Sequence, residues 1–281
     1  MNYRHAFHAG NFADVIKHVA LVAILLHLKK KDKPFRVIDT HAGRGLYDLE
    51  SDEAVRTGEA AQGIARLDDL RADASLPAAL AVYLDLVRGC GAGRYPGSPL
   101  IAALSLRETD RLIAIERHAD EARALTAVLA RFRNAKVACA DGYARLPALL
   151  PPPERRGLVV LDPPYEAPDE FARVAAALAA ARRRFATGIY LLWFPAKSPA
   201  AADALCGEVL AGGANGALRI TIDAGARSAG QDGKERLTAA GLLVVNPPFG
   251  LAGEMHAVAA ILAPRLGYLP QSPACISVTQ F

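Results

Sequence analysis

The chain has 281 residues, 52% of them hydrophobic and 22% charged, which suits a globular protein with a sizeable core in one large or two ordinary domains. A formal net charge of +4 does not by itself announce a polyanionic partner. No apolar window reaches the roughly eighteen residues of a membrane span, and Met1-Asn2-Tyr3-Arg4-His5 lacks the apolar stretch of a signal peptide. The four cysteines (Cys90, Cys139, Cys206, Cys275) are scattered without a CxxC pair, so the expectation is a reduced, cytoplasmic protein without a structural zinc.

Residues 1–10 are unusually aromatic and basic for a terminus, with Tyr3, Arg4, His5, Phe7 and His8. Such a tail can stack on bases and touch phosphate, or simply dock on the core. His5, His8, His18 and Asp14 follow no recognised metal-ligand spacing, and no metal site is expected. Asn11 is a suitable N-cap for a helix through Lys31, with Val15, Val19, Val22 and Leu26 on one apolar stripe. Phe35 to Asp39 reads as the first strand and runs into Thr40-His41-Ala42-Gly43-Arg44-Gly45. A glycine-bearing turn after a strand lets a nucleotide-like cofactor approach backbone. The incomplete GxGxxG disfavours a pyrophosphate cofactor and suits one without phosphates, such as S-adenosylmethionine.

From Tyr47 to Tyr95 the alternation of strands and helices stops. Helical patterns around 60–70 and 76–87 predict a small helical insertion over 47–95, within a main domain made of 1–46 and 96–281. Ser98 as N-cap, with Pro99 at the first helical position, opens the next helix. The rhythm then resumes with strands Arg111–Glu116 and Lys136–Ala140, each running into an acid, Glu116 and Asp141. A carboxylate in the first position can hold both hydroxyls of a ribose, and Asp141 can accept from an adenine amino group.

Gly157-Leu158-Val159-Val160-Leu161 predicts a strand buried on both faces, leading directly into Asp162-Pro163-Pro164-Tyr165. The prolines cannot continue the ladder, so the chain leaves the sheet at Asp162. An exocyclic amino group is a poor nucleophile because its lone pair is delocalised into the ring. Asp162 and the Pro163 carbonyl can accept its two hydrogens and draw the lone pair back, while Tyr165 stacks on the base. With Asp39, four acids close four strands on one sheet edge. That clustering, more than any single acid, points to a site.

Strands at 188–194, 218–223 and 242–246 complete a mostly parallel seven-stranded α/β sheet. Helices are expected at 169–184 and 199–211, and a short final strand near 274–278. Residues 225–235 read as a polar loop. Asn246-Pro247-Pro248-Phe249 repeats the form of the Asp162 motif, but its strand is expected to be antiparallel, which would put it on the far rim. Basic runs at Lys29–Lys33, Arg155-Arg156 and Arg182–Arg184 read individually as solvated helix ends or as phosphate contacts.

With these residues laid out, the chain resembles the bacterial family that N6-methylates adenine 2030 of 23S ribosomal RNA. The resemblance runs through Tyr3–Asn11, Asp14–His18, Lys33–Phe35, Asp39–Gly43, Tyr95–Leu100, Asp162–Glu166 and Arg184–Tyr190. The DPPY motif alone marks amino methylases in general, and the tail with the Asp39 segment is much more specific. The resemblance implies a class I methyltransferase fold, Rossmann-like, that uses S-adenosyl-L-methionine. It also implies that His18, His41, Ser98, Glu116, Asp141, Gly142 and Asp162 line the cofactor. Asp162, with Pro163 and Tyr165, would hold the acceptor base, and Tyr3 and Arg4 would contact RNA. Three other readings stay open at this point: a DNA adenine methylase, a Rossmann-like nucleic-acid-binding protein without catalysis, and a dinucleotide dehydrogenase.

Overall fold

The computed structural model describes residues 7–72, 75–196, 199–211, 216–225, 237–268 and 273–281. The Tyr3–Arg4 tail and the polar loop expected over 225–235 lie almost wholly outside them. Helix α1 (Phe12–Lys29) starts where expected: the Asn11 side chain accepts from the Asp14 amide at 2.8 Å. It ends at Lys29, two residues short of the expected Lys31. Its burial also corrects the single-stripe reading. Val15, Val19 and Val22 are buried, but so are Ile16, Leu21, Ile24 and Leu25 around the rest of the helix, while Leu26 is only half-buried. A helix apolar all round is an interior helix. The reason is its surroundings: α1 packs on sheet, insertion and neighbouring helices at once.

Strand β1 (Arg36–Asp39) leads to β2 (Leu46–Asp48), α2 (Asp52–Thr57), two 3₁₀ stretches at 60–62 and 64–72, α3 (Ala78–Gly89) and β3 (Arg94–Pro96). β2 and β3 pair antiparallel and close the stem of the segment between them. Ile64, Leu67, Leu80, Tyr83 and Leu84 share one apolar core with α1, so this segment is sealed onto the main sheet layer. Then come α4 (Ser98–Ser105), β4 (Arg111–Glu116), α5 (Ala119–Leu129), β5 (Ala135–Cys139), α6 (Gly142–Arg145), β6 (Gly157–Leu161), α7 (Glu170–Arg184) and β7 (Ile189–Pro195). The chain finishes with α8 (Pro199–Ala211), β8 (Ala217–Asp223), β9 (Ala239–Val245), α9 (Leu251–Leu266) and β10 (Cys275–Gln280).

The sheet order is β10-β8-β9-β7-β6-β1-β4-β5. The seven expected sheet strands are present, and the short final strand expected near 274–278 is β10, which pairs antiparallel with β8 as an eighth among the described residues. β5, β4, β1, β6 and β7 run parallel, and β9 lies antiparallel between β7 and β8. All five residues of β6 are buried, as a continuous apolar run in a covered parallel strand should be. One core cluster lies on the α1, α4 and α9 side of the sheet and a second under α7 and α8. Successive strands leave β1 in opposite directions, to β4 on one side and β6 on the other. In an open α/β sheet that switch opens a crevice at the carboxyl ends. No helix among the described residues is long and apolar enough to cross a membrane.

Candidate active site

The crevice is a cavity of about 610 Å³, within the usual range for small-ligand sites. His18, His41, Ser98, Glu116, Asp141, Gly142, Asp162, Pro163 and Tyr165 all line it. Residues spread over nearly 150 positions of sequence thus meet because parallel strands all end at one rim. Among the described residues no group of three or more His, Cys, Asp or Glu could hold a metal.

Glu116 closes β4, and its two oxygens accept from the Gly43 amide (2.8 Å) and the His118 amide (2.7 Å). A carboxylate has about four lone-pair sites, so these bonds orient it and leave capacity for a ribose diol. Asp141 caps α6 by accepting from the Ala144 amide at 3.0 Å, and Arg117 approaches its other oxygen at 3.7 Å. Thr40 Oγ1 donates to the Val160 carbonyl at 2.9 Å. Its one proton being used there, Thr40 Oγ1 accepts from His41 Nδ1 at 2.8 Å. His41 is therefore the Nδ1–H tautomer, with Nε2 left as an acceptor. Burial lowers its pKa to about 4 against the pull of Asp162 and Asp141, so the ring is neutral at pH 7.

Ser98 departs from its expected role. Gly97 occupies the N-cap position and Ser98 is already helical. The Ser-Pro pair resembles a cap signature, but the helix starts one residue earlier. Ser98 Oγ is thereby free to donate to Asp39 Oδ2 at 2.7 Å. Asp39 is 1% exposed, and burial, reinforced by Asp162 and opposed by the Ser98 bond, raises its pKa to about 6. The sign of the consequence follows from linkage. The unfolded carboxyl loses its proton near pH 4 and the folded one near pH 6, so in that window the unfolded state binds fewer protons and stability falls as pH rises. Relative to Asp39→Asn, the protein is expected to lose about 2 kcal/mol between pH 4 and pH 7. Urea midpoints of both chains at the two pH values test this, and parallel curves would refute it.

Asp162 follows β6 as expected, and its Oδ2 meets Lys17 Nζ at 2.5 Å. Lys17 also donates to Asp14 Oδ1 at 2.8 Å. The lysine and Asp14 side chains are 5% and 3% exposed and that of Asp162 16%. Burial alone would lower the Lys17 pKa, but the two carboxylates override it and raise it, so the ammonium stays charged. Asp162 Oδ1 carries no hydrogen bond among the described residues and is the oxygen available to a ligand. Tyr165 sits at φ 50° with its hydroxyl donating to the Trp193 carbonyl at 2.9 Å. Its ring packs on Phe171 and Trp193, with centroids at 4.8 and 5.7 Å. Lys17, Phe171 and Trp193 were given no role in the site by the sequence, and Asp14 was weighed only in a metal group without ligand spacing. The signals for the first pair were the three-residue spacing of Asp14 and Lys17 on a helix and their place in the Asp14–His18 segment of the resemblance.

The Asn246 motif lies on the opposite rim, past β9. Asn246 takes φ 54°, which asparagine tolerates, and its Nδ2 donates to the Ala186 and Gly188 carbonyls at 2.8 and 2.7 Å. It ties down the turn into β7 and takes no part in the cavity.

A mostly parallel sheet with antiparallel strands β9 and β10 toward one end, and acids gathered at the switch point, belongs to the class I S-adenosylmethionine-dependent methyltransferases. The chain is a member of the family described as Ribosomal RNA large subunit methyltransferase D, RlmJ, whose model matches residues 32–272. It is 42% identical over 266 residues to Ribosomal RNA large subunit methyltransferase J of Escherichia coli K12, covering 92% of this chain and 91% of the relative. The protein of that name from Haemophilus influenzae Rd is 38% identical over 272 residues, covering 95% and 94%. A crystal structure of a Legionella pneumophila protein superposes with a TM-score of 0.86 at 32% identity, covering 97% and 98% of the two chains.

Proposed function

We propose that this protein transfers a methyl group from S-adenosylmethionine to the N6 amino group of an adenine in 23S ribosomal RNA, adenine 2030 by the family resemblance. The observation that carries the reading is Asp162: a carboxylate at the end of β6, one oxygen held by a buried lysine and the other open to the cavity. We assign residues 1–46 and 96–281 to the catalytic domain and 47–95 to an inserted subdomain. Tyr3 and Arg4 are assigned to RNA contact, and the cytoplasm is the expected location.

The cavity suits the cofactor. Asp14, Glu116, Asp141 and Asp162 give its wall the negative character that a sulfonium cation favours. Glu116 is poised for the ribose and Asp141 for the adenine edge, while His18, His41, Ser98 and Gly142 form the remaining wall. When bound, the cofactor supplies an electrophilic methyl group. The protein's part is to place the acceptor. The target adenine, unstacked from its RNA, enters the pocket bounded by Tyr165, Phe171 and Trp193. Asp162 Oδ1 and the Pro163 carbonyl accept the two amino hydrogens and aim the nitrogen lone pair. Most of the rate gain then comes from positioning and preorganised charge.

The cofactor turn offers its own check. A Cβ on Gly43 would lie 2.3 Å from the Tyr47 hydroxyl oxygen but 3.6 Å from the ring carbon that bears it, and Gly43 has φ +61°. Gly43→Ala is expected to weaken S-adenosylmethionine binding about tenfold or more. Adding Tyr47→Phe should recover the steric part and leave about 1–2 kcal/mol of left-handed strain. Calorimetric titration of both variants decides it, and a double variant no better than the single one would refute the contact.

The function itself is tested by transfer of labelled methyl to protein-free large-subunit RNA, with genomic DNA and Asp162→Ala in parallel. Label on RNA, lost in the variant, is the expected result. Label on DNA would overturn the substrate and keep the chemistry.

A further inference from the structure

The three basic runs are far apart in sequence but adjacent in the fold. Lys30, Lys31 and Lys33 precede β1, Arg155 and Arg156 precede β6, and Arg183 and Arg184 end the helix before β7. β1, β6 and β7 are neighbours in the sheet, so the runs share the amino-terminal rim, opposite the cavity, across about 10 Å. Arg156 joins the first two runs directly, donating from Nη1 to the Lys33 carbonyl at 2.8 Å and from Nη2 to the Leu28 carbonyl. Lys30, Lys31, Lys33, Arg155, Arg183 and Arg184 are exposed, and none forms an ion pair among the described residues. The acids in the loops that enter β1, β4 and β6 on this rim are Asp32, Glu108, Asp110 and Glu154. Asp110 is buried against Arg107 and Glu154 is paired with Arg36, leaving Asp32 and Glu108 exposed. Burial and then Lys30, Arg156 and Lys31 lower the pKa of His27, which reports the crowding of positive charge there.

Helix dipoles account for cations at the end of α1 and α7. They do not account for Arg155, which stands in a loop at φ 49°, or for Lys33 beyond the helix end. The same rim carries Phe249, 96% exposed, three residues after the Asn246 that bonds Ala186 and Gly188. Unpaired cations beside a bare aromatic ring are the composition of a surface that tracks a phosphate backbone and stacks a base.

We propose that this rim is a second RNA-docking surface, which grips the backbone of the ribosomal RNA substrate away from the target adenine while Phe249 stacks on an unpaired base. The proposal rests on the ribosomal RNA reading above. Its charge is local, which explains why a net charge of only +4 conceals it.

The test is binding of the full chain to a protein-free 23S transcript across a salt series. Wild type is compared with a variant carrying Lys30→Gln, Lys31→Gln, Arg183→Gln and Arg184→Gln, and with Phe249→Ala. The fourfold variant is expected to bind about ten to a hundredfold more weakly near physiological salt. Its dependence of log affinity on log salt should be shallower by about 3, close to one per lost phosphate contact. Phe249→Ala should lose affinity, about fivefold or more for one stacked base, with an unchanged salt slope. S-adenosylmethionine affinity and thermal midpoint should stay as in wild type for both. Wild-type affinity and slope in the fourfold variant would overturn the proposal while leaving the function intact. Failure of wild type itself to bind or methylate the transcript would instead strike the functional reading.

Discussion

Asp162→Ala is expected to abolish methyl transfer, by about a thousandfold or more, while the affinity for S-adenosylmethionine changes by no more than about threefold. The size follows from what the residue does. A preorganised group aimed at the reacting atom is worth about 10²–10³ in rate, and in the proposed role the same oxygen would also aim the lone pair and accept a stronger hydrogen bond as positive charge develops on nitrogen. In the proposed arrangement the cofactor, by contrast, is held by Glu116, Asp141 and the Gly43 turn, which the substitution leaves in place. Single-turnover rates and calorimetry separate the two. A fall in cofactor affinity matching the fall in rate would show that Asp162 is merely part of the cofactor wall.

Lys17→Met should be the most damaging substitution outside the DPPY loop. It leaves Asp14 and Asp162 facing each other without the cation that both contact. Removing one partner of a buried pair costs about 3–5 kcal/mol, because the remaining charge stays uncompensated. Activity should fall as well, since Asp162 loses the contact that fixes its orientation. Adding Asp14→Asn removes the neighbouring charge and should restore much of the stability but not the activity. Chemical denaturation beside single-turnover kinetics reads both, and joint recovery would mean that Lys17 acts through folding alone.

How much of this was legible in the sequence depends on range. The β6 run and its prolines encode their own ending, so the position of Asp162 followed from four apolar residues and elementary backbone chemistry. Acids at strand ends were equally readable, because parallel strands share a rim. The partners of those acids were not. Lys17 and Asp162 lie 145 residues apart, and nothing local in either segment names the other. Ser98 shows a subtler failure: its neighbour Pro99 marks a helix start to within one residue, and that one residue decides between a cap and a ligand of Asp39. Helix α9 went unread between the Asn246 motif and Pro264, since it begins after a left-handed Gly250 without a side-chain cap and carries a proline in its last turn.

The central position of α1 has a consequence for how the protein is made. The helix ends at Lys29 and rests on β9 and α9, which begin at Ala239 and Leu251. At about 5–20 residues per second, synthesis needs roughly 10 to 40 s to deliver those partners. Through that interval one of the most apolar helices of the chain has no finished core to enter. It is a segment that a nascent-chain chaperone would hold, since α3 and α4 cover it early and β9 and α9 only near the end of synthesis.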